Sequence, residues 1–85
     1  MPNPFNPSTT LKYTVAEAGR TSLRVYNVRG ELVRTLQESW LPAGTYQAAW
    51  DGTDQRGRAV SSGTYFAVIS NDRGIRDRIR MVLLK

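Results

Sequence analysis

Apolar and polar residues alternate one for one in several separate stretches of this chain, and no stretch holds a helical period long enough to stand as a helix. Leu11, Tyr13 and Val15 alternate with Thr10, Lys12 and Thr14 until Ala16-Glu17-Ala18-Gly19 breaks the run. Leu23 and Val25 resume it between Ser22 and Arg24, and Tyr46, Ala48 and Trp50 repeat it against Thr45, Gln47 and Ala49. A period of two marks a strand with one buried face, so Trp50 is expected inside. Tyr65 to Ile69 is apolar on both faces, which predicts a central strand. The last strand is expected from Ile75 to Leu84. Along it Ile75, Ile79, Met81 and Leu83 point one way, with Asp77 among them. Arg76, Arg78 and Arg80 point the other way, followed by Val82 and Leu84.

The punctuation is equally regular. Asn27-Val28-Arg29-Gly30, Asp54-Gln55-Arg56-Gly57 and Asn71-Asp72-Arg73-Gly74 each set an Asx residue three places before a glycine, the chemistry of a tight turn. Leu32, Val33 and Leu36 share no single parity, which predicts a bulge in the third strand. Trp40 to Gly44 is predicted as a loop that lays Trp40 or Leu41 over the edge of the core. Six short strands with turns between them predict an all-β antiparallel sandwich. Pro2, Pro4 and Pro7 exclude a helix start or a central strand, so residues 1–8 are expected as a stiff lead-in and residues 9–85 as the sandwich. The apolar strand at the end of the chain is expected to be tied into the fold. With 85 residues and no cysteine, one small core has to hold without disulfides. The opening residues lack the basic-then-apolar pattern of a secretory signal, so an exported protein would carry that signal upstream. No apolar run approaches the ~20 residues of a membrane helix, and no membrane insertion is expected.

Little in this composition suits catalysis. Histidine and cysteine are absent, which removes the commonest proton carrier, thiol nucleophiles and zinc ligands. A serine nucleophile would depend on Lys12 or Lys85 as its base, and neither sits in a context that suggests burial. No enzyme and no cofactor are expected. Asp51 and Asp54, with Thr53 and backbone carbonyls, could offer oxygens to calcium, but Arg56 and Arg58 in the same loop oppose a cation. The favoured reading is that both aspartates brace turns and bind no metal. Ten of the twelve basic residues are arginine, and the net charge is +5. The stripe of Arg76, Arg78 and Arg80 suits either an anionic partner or a solvated outer face. Nucleic acid is not expected, because no aromatic residue falls among those arginines along the strand, and Tyr46, Trp50, Tyr65 and Phe66 are assigned to the core.

Several motifs occur in a set order: Pro2-Asn3-Pro4-Phe5-Asn6-Pro7-Ser8-Thr9-Thr10, Val25 to Gly30, Pro42-Ala43-Gly44, Trp50-Asp51-Gly52 with Asp54 and Gly57, Ser62-Gly63-Thr64-Tyr65, and Arg80 to Lys85. Together they resemble the type A C-terminal sorting domain of type IX secretion cargo in Bacteroidetes and related bacteria. The Trp-Asp-Gly and Ser-Gly-x-Tyr part is also similar to the immunoglobulin-like domain of flagellar hook-capping proteins. The resemblance implies an immunoglobulin-like, fibronectin III-like sandwich that carries an upstream cargo domain through the periplasm to the cell surface or medium. It implies as partners the outer-membrane translocon and a sortase-like attachment protease. Pro2, Asn3, Pro4, Gly63, Tyr65, Arg80, Met81, Val82, Leu83, Leu84 and Lys85 are carried over as recognition elements. For Gly63 and Tyr65 a purely structural role, in turn and packing, stands beside that one. Val82 and Leu84 are apolar on the face of the arginines, which suits docking. The alternative implied by the second likeness is a structural or adhesive module of a multidomain extracellular or hook-cap protein.

Overall fold

The computed structural model describes residues 8–85. Six antiparallel strands form two facing sheets: β1 (Thr9–Val15), β2 (Gly19–Asn27), β3 (Leu32–Leu41), β4 (Gly44–Trp50), β5 (Gly63–Asn71) and β6 (Gly74–Leu83). One sheet is β1-β4 and the other is β3-β2-β5-β6. This is an immunoglobulin-like sandwich: the larger sheet takes the order C′-C-F-G and the smaller one B-E. The expected lead-in falls on residues outside those described, apart from Ser8.

The inward parity of each strand builds the core. Leu11, Tyr13 and Val15 of β1 meet Leu23 and Val25 of β2, Tyr65, Ala67 and Ile69 of β5, and Met81 and Leu83 of β6. Trp50, at the end of β4, is 1% exposed and sits among them. Its ring meets Tyr65 edge-on, with centroids 5.1 Å apart and planes at 63°. Its Nε1–H donates to the Thr53 carbonyl at 2.9 Å, so the one polar atom of the largest core side chain is satisfied. Tyr13 and Tyr46, opposite one another across β1 and β4, stack at 5.7 Å.

Two tyrosines lock strand starts to the chain before them. Tyr65 Oη donates to the Ser61 carbonyl at 2.7 Å, and Tyr46 Oη donates to the Pro42 carbonyl. The first is the tyrosine corner of immunoglobulin-like domains, on the F-equivalent strand where such folds carry it. Gly63, two residues earlier, has φ +153, a conformation open only to glycine, although a Cβ there would meet nothing within 4 Å. Its role in the fold is therefore conformational.

The Asx turns form as the sequence suggests. Asn27 Oδ1 accepts from the amides of Arg29 and Glu31, both at 3.0 Å, and Gly30 follows at φ +81. Asn71 Oδ1 accepts from the Arg73 amide at 2.8 Å.

The bulge expected in the third strand is present, and two details differ from the sequence reading because bulges shift parity. Between β2 and β3 the register slips twice, stepping past Leu36 and then Val33. Those two apolar residues turn onto the core, so both strand faces carry apolar groups. Beyond the slips β3 continues to Leu41, so Trp40 lies in a strand opposite Arg20 and is exposed, while Leu41 packs on the core. In β6 the register slips past Arg76, pairing Ile69 with Asp77 but Ser70 with Ile75. Ile75 therefore leaves the inward row and is exposed on the outer face.

Trp50→Ala removes the side chain that touches both sheets and should cost ~3–5 kcal/mol in urea unfolding. A loss below about 1 kcal/mol would show that Trp50 is not the centre of the core.

Candidate functional site

The two outer faces of the sandwich differ in kind. On β1 and β4 the outward residues are Thr10, Lys12, Thr14, Thr45, Gln47 and Ala49, all exposed and nearly all polar. The larger sheet presents apolar rows instead. Its register sets Leu32, Tyr26, Phe66 and Arg80 side by side, then Thr35, Arg24, Val68 and Arg78. A shallow groove runs over this face, lined by Tyr26, Val28, Phe66, Val68, Ile75 and Arg78. Phe66, expected in the core, is half-buried here, because on a central strand the residue beside buried Tyr65 and Ala67 faces outward. Aromatic rings do therefore lie beside the arginines, across strands, where reading along β6 alone shows none.

The charges on this face are set by what each side chain reaches. Arg24 bridges to Glu38 at 2.8 Å and to the Ser22 hydroxyl at 3.2 Å. Arg78 and Arg80 form no ion pair among the described residues. The expected triple stripe is reduced to these two. Arg76 occupies the bulge and borders a cleft with Val15, Glu17 and Asp77 at the end of the sandwich.

The remaining sequence-singled residues divide by burial. Tyr65, Met81 and Leu83 are core residues. Val82 and Leu84 are exposed, Val82 being opposite Thr64 on the larger sheet. The Lys85 amide donates to the Ser62 hydroxyl at 3.1 Å, which ties this end to the loop before β5. Pro2, Asn3 and Pro4 lie outside the described residues.

The loop after Trp50 uses its carboxylates on its own chain. Asp51 Oδ1 accepts from the Thr53 amide at 3.1 Å and from the Thr53 hydroxyl. Asp54 Oδ1 accepts from the amides of Arg56 at 2.9 Å and Arg58 at 3.0 Å, and its Oδ2 takes Arg58 Nε at 3.2 Å. Arg34 of β3 donates to the Thr53 hydroxyl and, at 3.0 Å, to the Asp54 carbonyl. Gln55 completes the attachment, its amide donating to the Val33 carbonyl at 3.0 Å while its Oε1 accepts from the Thr35 amide at 2.6 Å. The loop thus covers part of the outer edge of β3, which is how the aspartates act as turn braces. Among the described residues no cluster of three or more acidic side chains could hold a metal ion.

Comparison with known proteins corrects the functional expectation. The family model of the FlgD Ig-like domain matches residues 6–74. FlgD of P. aeruginosa is similar in structure, with TM-score 0.67 and 22% identity over 92% of this chain and 61% of that one. FlgD of Xanthomonas campestris, whose structure is described as giving insight into the hook capping essential for flagellar assembly, follows at TM-score 0.62 and 24% identity. That likeness covers 91% of this chain and 56% of the Xanthomonas protein. The chain thus spans about three fifths of these relatives. No curated protein matches it. The match overturns the type IX sorting reading and with it the translocon, the sortase-like protease, the cargo relationship and the assignment to Bacteroidetes. The flagellar likeness, held as the alternative on Trp50-Asp51-Gly52 and Ser62-Gly63-x-Tyr65, is the one that the matches support. The sorting reading leaned on the Pro-rich residues 2–10 and on Arg80 to Lys85, a short apolar run between two basic residues that the last strand of a sandwich can show without being a signal.

Bonding in the loop has a consequence in acid. The Thr53 hydroxyl holds the Asp51 carboxyl below its ordinary 3.8, outweighing partial burial, and the Arg58 amide does the same for Asp54. A depressed carboxyl contributes stability that is complete above the unfolded-state value and is lost as pH falls through the folded-state one. Stability should therefore change little through these groups from about pH 7 to 5 and fall below about pH 4. The double variant Asp51→Asn, Asp54→Asn should show a shallower acid-side loss in urea titrations. An unchanged slope would mean that the two carboxyls are not held in this way.

Proposed function

Because the chain belongs to the FlgD Ig-like domain family, we propose that it is a non-catalytic assembly module of a flagellar hook-capping protein, with hook components as its partners. The family match across most of the sandwich carries this reading. The relatives extend well beyond the length spanned here, and the sandwich is proposed to act as one module beside others. Its place of action is outside the cell, on the growing hook.

A module of this kind has to be stiff and has to present a surface, and the chain's chemistry suits both demands. Asp51 and Asp54, the carboxylates most open to a catalytic reading, are committed to turns and to β3. Among the described residues, the large exposed apolar side chains that lie on strands, Leu32, Trp40, Ile75 and Val82, all belong to the larger sheet.

The reading is tested by exchange. Residues 9–85 replace the matching domain of the Xanthomonas campestris protein in a strain that lacks it, and hooks are counted by electron microscopy. The chimera should restore hooks above the level of a version with the domain deleted. A chimera that is folded and exported but performs no better than the deletion contradicts the hook-cap reading.

A further inference from the structure

We propose that the outer face of the β3-β2-β5-β6 sheet is a docking surface for an acidic protein segment anchored by large apolar side chains. The inference rests on the reading of the chain as a protein-assembly module, and not on its flagellar setting.

Three observations carry it. Leu32, Trp40, Ile75 and Val82 are each at least half exposed, and all belong to strands of this sheet. Isolated exposed apolar residues are ordinary, but Ile75 lines a groove with Tyr26, Val28, Phe66 and Val68, on a sheet whose opposite number is polar, and an apolar patch of that kind marks an interaction site. The bulge at Arg76 adds to the patch, since it turns Ile75 out to join Val68 in the groove. Finally, Arg78 lies opposite Val68 and Arg80 opposite Phe66, so two exposed guanidinium groups border the apolar floor without a carboxylate partner among the described residues. Glu38, the acid on this face, is held by Arg24.

Charge selects the occupant. A partner that lays apolar anchors over Phe66, Val68 and Ile75 brings its flanking residues against Arg78 and Arg80, where carboxylates gain charge-assisted hydrogen bonds. A second copy would oppose arginine to arginine on chains that each carry net charge +5. Single-stranded nucleic acid would find two rings in the groove, Tyr26 and Phe66, over a floor otherwise largely aliphatic, with Trp40 set apart from them opposite Arg20. An acidic, apolar-anchored segment satisfies both halves of the surface.

The test uses the whole 85-residue chain. It is immobilised and panned against displayed random peptides of about 16 residues, long enough to cross a sheet of this width. Recovered peptides should be net acidic with two or more large apolar residues. On titration they should shift the backbone resonances of Tyr26, Phe66, Val68 and Ile75. Arg78→Glu with Arg80→Glu should weaken binding at least about tenfold at low salt, whereas Lys12→Glu on the opposite sheet should change it little. Both arginines are exposed, and an unchanged thermal midpoint establishes that the variant is folded. If it is not, Arg78→Gln with Arg80→Gln should still weaken binding at least about threefold. Recovery of no peptide, of neutral or basic peptides, or of peptides that bind elsewhere overturns the proposal. So does charge reversal without effect, tighter binding of oligothymidine at this face, or self-association through it. Loss of hook formation in the chimera with peptide binding intact would remove the flagellar setting and leave the surface.

Discussion

Trp50 is the contact on which the rest of the structure depends. A two-strand sheet has no stability of its own and must be held against something larger. Trp50 ends β4 with its side chain in the shared core, edge-on to Tyr65 of the larger sheet. Its indole N–H is bonded to Thr53, and Thr53 is in turn held by Asp51 and by Arg34 of β3. One side chain thereby joins β4, β5 and the loop that covers the β3 edge. Tyr65 repeats the economy, packing on Trp50 while its hydroxyl closes the corner at Ser61.

A core fastened in this way leaves the outer faces free to differ. In a domain this small most apolar groups are needed inside. The larger sheet nevertheless places Phe66, Val68 and Ile75 outward, beside Arg78 and Arg80. The smaller sheet shows threonine, glutamine and lysine to water. Asn27 and Asn71 brace tight hairpin turns, and Asp54 braces a turn within the longer β4–β5 loop, which suits a module that holds position rather than one that moves to catalyse.

Much of this was legible in the chain. Alternation placed Leu11, Tyr13, Val15 and Trp50 inside because a single residue period decides the face. The Asx-to-glycine spacing located all three turns because the side-chain oxygen and the glycine φ act locally. What escaped was what pairing decides. A bulge depends on the partner strand, so the slip at Arg76 that sends Ile75 outward left no mark in β6 itself. Trp40 read as a loop residue because the parity of β3 is lost at Val33 and Leu36. The docking face was half visible: Val82 and Leu84 stood out beside the arginines, but Tyr26 and Phe66 reach them only through cross-strand register. The family was present in Trp50-Asp51-Gly52 and Ser62-Gly63-x-Tyr65, whose geometry turns out to be the pin and the corner of the fold.

Hydrogen exchange at the Trp50 indole tests the central claim most directly. If Trp50 pins the two sheets, its Nε1–H can meet solvent only when the whole domain opens. Its exchange free energy should then equal that of the slowest backbone amides of Leu23 and Val25, and it should match global unfolding measured in urea. Exchange of the indole at a much lower free energy, with the amides of β2 and β5 still protected, would show that the small sheet and its loop detach on their own. That result would contradict the account of Trp50 as the fastening of the sandwich.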